Sequence, residues 1–133
     1  MAILFGILSI CAGCPEPDEV VDSAIVVVNN SNRDIVAFGM HKLKTDTLLQ
    51  TLPFPITSQN SEVIPPGDST KYGGPFKKKF AEMPDKVHMI FLFSRDTLDN
   101  LSWDQITDQY LILRRYDLTL DSLEGRNWKV IFP

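Results

Sequence analysis

The chain contains very little cysteine. Of its 133 residues only Cys11 and Cys14 carry a thiol, and both lie close to the N-terminus. The remainder therefore has no disulfide, no thiolate nucleophile and no cysteine cluster for a zinc or iron–sulfur centre. We expect a domain that is stabilised by its apolar core and its hydrogen bonds alone.

Histidine is equally scarce, with only His41 and His88, which are 47 residues apart. No HxH or HExxH motif, glycine-rich phosphate loop or GxSxG motif occurs. We therefore predict no metal site, no cofactor and no catalytic residue. His88 is expected to be a hydrogen-bonded core or half-exposed residue, and His41 a surface residue. A hydrolase with an unmarked site is the least favoured alternative.

An excess of basic charge is also absent. Thirteen basic residues face seventeen acidic ones, and the net charge is −4. Four of the acidic residues precede residue 23, so the rest of the chain carries equal numbers of each sign. Such a domain has no strong field to attract nucleic acid. The one basic cluster, Lys77-Lys78-Lys79, is expected to be a solvated face.

No apolar run is long enough to span a membrane. The uncharged residues 1–13 fall short of the roughly 20 residues that a bilayer core requires, but they suit the apolar region of a signal peptide. Ala12-Gly13-Cys14 resembles the end of a bacterial lipobox, in which the signal is cut before a lipid-bearing cysteine. This implies a signal peptide 1–13 and lipidation at Cys14. A buried N-terminal strand or helix is the alternative.

The acidic, proline-containing residues that follow predict an extended tether over 14–23. Acidic residues directly after the cysteine resemble the export signal of Bacteroidota lipoproteins. That resemblance implies an outer-membrane location with a lipid anchor, at the cell surface or otherwise facing the periplasm. The remaining residues, 24–133, have the size of one domain.

Short apolar runs bounded by turn residues predict that this domain is mainly β. The predicted strands cover 24–29, 34–42, 61–64, 69–72, 87–94, 110–116 and 127–132, with a weaker one over 47–52. The strand over 87–94 is apolar on both faces, so it should be central. Pro65-Pro66-Gly67-Asp68 predicts a turn. About seven strands favour an antiparallel β-sandwich, with an α+β sheet covered by helices on one face as the alternative.

Two short helices are predicted in the C-terminal third. Ser102 and Gln105 form a capping-box pattern that opens a helix through Asp108. Thr119 can cap a further one or two turns that Gly125 ends.

Three segments resemble small lipoproteins of gut Bacteroidota, a group of unknown function. They are VVNNSNRDI at 27–35, FLFSRDTL at 91–98 and YLILRRYDLTLDSL at 110–123 with Asn127-Trp128. The resemblance implies lineage and location but no activity. It also implies O-glycosylation at Asp-(Ser/Thr) motifs, whose candidate sites are Thr47, Thr97, Ser69, Ser23 and Ser122.

Four aromatic residues in or near predicted loops are candidates for a binding surface. They are Trp103, Tyr72, Phe76 and Phe80. We therefore predict a non-catalytic domain that binds a protein or a glycan, with a structural subunit of an outer-membrane assembly as the alternative.

Overall fold

The structure is a computed structural model that describes residues 21–43 and 55–133. The predicted signal peptide, Cys14, the tether before Val21 and the predicted strand 47–52 lie outside these ranges and remain predictions. Within the described ranges, no helix is long and apolar enough to cross a membrane.

Seven strands and four short helices make up this part of the chain. The elements are β1 (Ser23–Asn29), β2 (Ile35–Leu43), β3 (Glu62–Ile64), β4 (Ser69–Gly74), α1 (Phe76–Glu82), β5 (Lys86–Ser94), α2 (Arg95–Asn100), α3 (Trp103–Asp108), β6 (Arg114–Leu118), α4 (Leu120–Gly125) and β7 (Lys129–Phe132). The strands form two sheets, ordered β4-β1-β7 and β3-β2-β5-β6. The prediction of a mainly β domain is confirmed.

The strand pairs are antiparallel with one exception among the described residues. β1 pairs with β7 in parallel, with Val27 opposite Val130. No turn connects these two strands, because they lie at opposite ends of the domain sequence. Parallel neighbours need such a long connection. The sequence-based expectation of a purely antiparallel arrangement is therefore wrong at this pair.

β5 is the central strand of the larger sheet, as predicted. It lies between β2 and β6, and all of its residues except Lys86 are buried. Ile90 and Leu92 enter an inner cluster that also contains Ile25, Val27 and Val130 of the smaller sheet. On the other face, Met89, Phe91 and Phe93 form an outer cluster with Ile56, Leu98 and Ile106. Alternate side chains of one strand thus support two apolar layers.

The helices differ in part from the prediction. The capping box at Ser102 and the helix cap at Thr119 are confirmed, and the structure adds that Thr119 forms a capping box with Ser122. α1, however, lies in the middle of the chain and contains Phe76 and Phe80, which were expected in a loop. The two rings share one helix face because they are four residues apart.

The C-terminal strands begin later than predicted. The predicted strand 110–116 is replaced by β6, and Tyr110 has a φ of 51°. β7 starts at Lys129 because Asn127 and Trp128 have φ values of 51° and 60°. These left-handed conformations interrupt extended backbone. Trp128 still packs against the inner cluster.

The side chain of Asn29 connects the two sheets. Asn29 is completely buried at the end of β1. Its amide nitrogen donates to the carbonyl oxygens of Arg33 and Ile64, at 2.8 Å each. Its amide oxygen accepts from the backbone N–H of Ser31 at 2.9 Å and from the Ser31 hydroxyl at 2.6 Å. All four hydrogen-bonding positions of the amide are therefore occupied.

The backbone of Asn29 binds the predicted proline turn. Its N–H donates to Asp68 at 2.9 Å, and its carbonyl accepts from Gly67 at 2.7 Å. Gly67 has a φ of 79°, and Asp68 closes the turn onto Pro65 at 3.1 Å. Proline at the second position and a left-handed glycine at the third are typical of a type II turn. The turn prediction is confirmed.

We expect Asn29→Ala to lower the free energy of unfolding by about 3 kcal/mol, because it leaves buried backbone groups without partners. Urea denaturation followed by circular dichroism measures this change. The control is Asn30→Ala, since Asn30 is exposed and its substitution should change stability by less than about 0.5 kcal/mol. Equal effects at the two positions would contradict the role given to Asn29.

Candidate functional site

A cleft of about 460 Å³ lies where β4 and α1 face β2 and β5. Its aromatic lining comes from Phe38, Tyr72 and Phe76, and its polar lining from Asn60, Ser61, Glu62, Lys79 and His88. This combination of apolar surface and a few polar groups is typical of small-molecule sites, which range from about 300 to 1,000 Å³.

Gly39 leaves one edge of the His88 ring uncovered in this cleft. Gly39 is exposed, and a Cβ at this position would stand 2.8 Å from Nε2 of His88. Any other residue at position 39 would therefore collide with the imidazole. A glycine on a strand is typical of sites at which another group approaches closely.

His88 and His41 lie beneath α1. They are directly opposite each other on β5 and β2, and their ring centroids are 6.2 Å apart. Phe76 packs edge-on against His88 with a centroid distance of 4.9 Å. Phe80 packs in the same way against His41, at 4.8 Å. One helix face therefore covers a cross-strand pair of imidazoles.

The start of α1 is held by a carboxylate from outside the helix. Asp22 accepts from the backbone N–H groups of Lys77 and Lys78, at 3.1 and 3.0 Å. Partial burial raises the pKa of Asp22, but these bonds and the Ser23 hydroxyl outweigh it and lower the pKa overall. Residues assigned to the tether by sequence thus belong to the domain from at least Asp22.

Both histidines differ from their predicted environments. His88 is buried but not hydrogen-bonded at Nδ1, and both ring nitrogens of half-buried His41 lack solvent contact and a hydrogen-bond partner. Burial, with the charges of His41 and Lys79, lowers the pKa of His88 to about 4. Burial, with the charges of Lys86 and Lys79, also lowers the pKa of His41. The Met83 backbone lies close to this ring but outside hydrogen-bond geometry, and it offsets the lowering only in part.

Other groups in the cleft are perturbed by burial. Burial, assisted by the charge of Glu62, raises the pKa of Tyr72 to about 12. The phenol therefore stays protonated at neutral pH and donates to the carbonyl oxygen of Ala37 at 3.4 Å.

The structure brings together only part of the predicted aromatic surface. Tyr72 and Phe76 line the cleft. Phe80 lines a neighbouring groove between α1 and the start of α4. Trp103 lies elsewhere, packed on Phe93 against the outer cluster. The contribution of His88 and Gly39 was missed, because it depends on the pairing of β2 with β5.

The predicted glycosylation sites are scattered. Thr47 lies outside the described ranges. Ser69 is exposed at the start of β4, and Ser23 donates to Asp22 at the start of β1. Thr97 lies in α2, and Ser122 takes part in the capping box of α4.

The described residues contain no group of three or more His, Cys, Asp or Glu side chains that could hold a metal ion. In the same ranges, neither histidine is hydrogen-bonded to a carboxylate, so the carboxylate-oriented histidine base of a hydrolase triad is not formed there.

Comparison with known proteins finds no matching protein family, no matching curated protein and no matching solved structure.

We expect the stability of the domain to fall by about 2 kcal/mol between pH 7 and pH 5 because of His88. Its pKa is about 4 when folded, against 6.5 as the ordinary value, so the unfolded chain binds the proton first as the pH falls. Neutral His88 therefore contributes to the free energy of unfolding above pH 6.5, and this contribution is lost as the pH falls towards 4. Urea denaturation across this range measures it.

His88→Gln is the matched variant, because it cannot titrate. Its stability should vary less with pH than that of the parent, and the difference between the two proteins isolates His88 from His41. Parallel curves for parent and variant would contradict the prediction.

Proposed function

We propose that this protein is a lipid-anchored exported protein whose β domain binds a ligand in the cleft and does not catalyse a reaction. The observation that carries the proposal is the uncovered edge of His88, kept open by Gly39 on the wall of a cleft with mixed aromatic and polar lining. A polar edge beside aromatic surface fixes the orientation of a bound molecule.

A sugar ring is the ligand class that suits this lining best. Tyr72 and Phe76 offer aromatic surface for the apolar face of a pyranose, and such rings combine a large contact area with directional preference. Asn60, Ser61 and Glu62 offer hydrogen-bonding groups for hydroxyls. Lys79 adds a positive charge that favours an acidic sugar.

We further propose that the two sheets form the layers of a β-sandwich. The inner cluster supports this, since it joins Ile25 and Val130 of one sheet to Ile90 of the other. Helices α2 and α3 contribute Leu98 and Ile106 to the outer cluster. Helices thus cover one face of the larger sheet, which is the feature expected of the α+β alternative.

Tyr72→Ala should weaken binding of an oligosaccharide about tenfold, because it removes an aromatic wall. The probe is a glycan array of neutral and uronate-containing oligosaccharides, and hits are quantified by titration calorimetry. Lys71→Ala is the control, since Lys71 is exposed and alternates with Tyr72 along β4. Its affinity should stay within about twofold. Absence of any array hit, or equal losses in both variants, would contradict the proposal.

The anchor is proposed from the sequence of residues 1–19 and places the protein at the outer membrane. Intact cells labelled with a fatty-acid analogue should incorporate the label into the parent chain and into Cys11→Ala. Cys14→Ala should lose the label, because the acylated thiol is removed. Label retained in Cys14→Ala would show that this cysteine is not the anchor.

A further inference from the structure

Within residues 21–43 and 55–133, three buried imidazole nitrogens between β2, β5 and α1 lack a hydrogen-bond partner. They are Nδ1 of His88 and both ring nitrogens of His41, which has the Met83 backbone close by but outside hydrogen-bond geometry. Nearly all buried polar side-chain atoms in proteins have a partner, and an orphan indicates strain, chemistry, or a bound water or ion. Each one destabilises a fold by about 1–3 kcal/mol, so three in one place call for an explanation.

We propose that His41 and His88 bind one copper(I) ion between their rings, beneath α1. The rings are 6.2 Å apart at their centroids, and their planes differ by 31°. An ion bonded at about 2 Å to one nitrogen of each ring holds the two centroids about 6 Å apart. The strand register alone produces this spacing, because the two residues are paired directly across β2 and β5.

The surroundings favour a monovalent ion that is satisfied by two nitrogen ligands. Zinc requires about four ligands at a structural site, and the described residues offer no third His, Cys, Asp or Glu here. Phe76 and Phe80 cover the rings with apolar surface. The charges of Lys79 and Lys86 act on His41 and oppose a divalent ion more than a monovalent one. Imidazole is a good ligand for copper, and copper(I) forms stable complexes with only two ligands.

The protonation state of the rings agrees with this role. A ligating histidine must be neutral. Burial and neighbouring positive charge lower the pKa of both imidazoles, so their lone pairs are available at neutral pH without competition from protons.

The cleft supplies a route to the ion. His88 lines its wall, and the missing side chain of Gly39 exposes the ring edge there. The ion can therefore reach the histidine pair from solvent without unfolding of α1. The copper site and the proposed ligand site would then share His88 but use different atoms and different neighbours.

The test is a competition titration with copper(I) and the chromophoric chelator bicinchoninate under nitrogen. All proteins carry Cys11→Ser and Cys14→Ser in the full chain, because two thiols three residues apart would bind copper(I) on their own. The parent should take one equivalent of copper(I) and no zinc. On binding, one nitrogen of each histidine should shift in the long-range ¹⁵N spectrum.

Two variants check the ligands and one checks the electrostatics. His41→Gln and His88→Gln should each weaken binding by more than about 100-fold, beyond the 10–100-fold typical of losing an outer partner. Lys86→Met should tighten binding, since it removes a nearby positive charge, whereas a purely structural role for the histidines predicts no such gain.

Copper(I) uptake that is absent in the parent, or unchanged in the double variant His41→Gln/His88→Gln, would overturn the proposal. If the parent takes up no copper(I), the histidine nitrogens are bonded to buried water or stay unpaired. If the double variant still takes up copper(I), the ion binds elsewhere. The ¹⁵N shifts of the parent decide the question even if a histidine variant fails to fold. Sugar binding is measured separately, so the two proposals fail independently.

Discussion

The amide of Asn29 is the constraint on which the rest of the structure depends. Two donors and two acceptor positions are all required at this point, and no other uncharged side chain of this size supplies both. The amide fixes the turn that leads from β1 to β2 and binds the end of β3. From that turn the pairing of β2 with β5 runs in continuous register from Ile35 opposite Ser94 to His41 opposite His88. The geometry of the histidine pair is therefore set at the far end of the strands.

The cleft and the histidine pair lie against α1, a helix that depends on contacts with the rest of the domain. α1 has seven residues, which is too short for a stable helix in isolation. It is held by Asp22 at its start and by the contacts of Phe76 and Phe80 with the two imidazoles. The apolar layers on both faces of β5 offset the unfavourable burial of these polar rings. The apolar contacts of the central strand thus stabilise the domain enough to tolerate the buried imidazoles at the site.

Local signals in the sequence predicted local structure well. The apolar pattern of β5, the helix caps at Ser102 and Thr119 and the turn at Gly67 each depend on neighbouring residues, and each is confirmed. The site was harder to predict because it depends on pairing between distant segments. His41 and His88 are 47 residues apart in sequence but adjacent across two strands. α1 was missed because three consecutive lysines concealed the spacing of Phe76 and Phe80. The parallel pairing of β1 with β7 had no local signal at all.

The position of β1 has a mechanical consequence. From Val21 and Asp22 the chain continues directly into β1, the middle strand of its sheet. A pulling force applied through the preceding residues acts along this strand, and the hydrogen bonds to β4 and β7 resist it together in shear. The same force reaches Asp22, whose carboxylate holds α1. Tension on the N-terminal segment is therefore felt first by the helix that covers the histidines, while the sheet behind it resists as a unit.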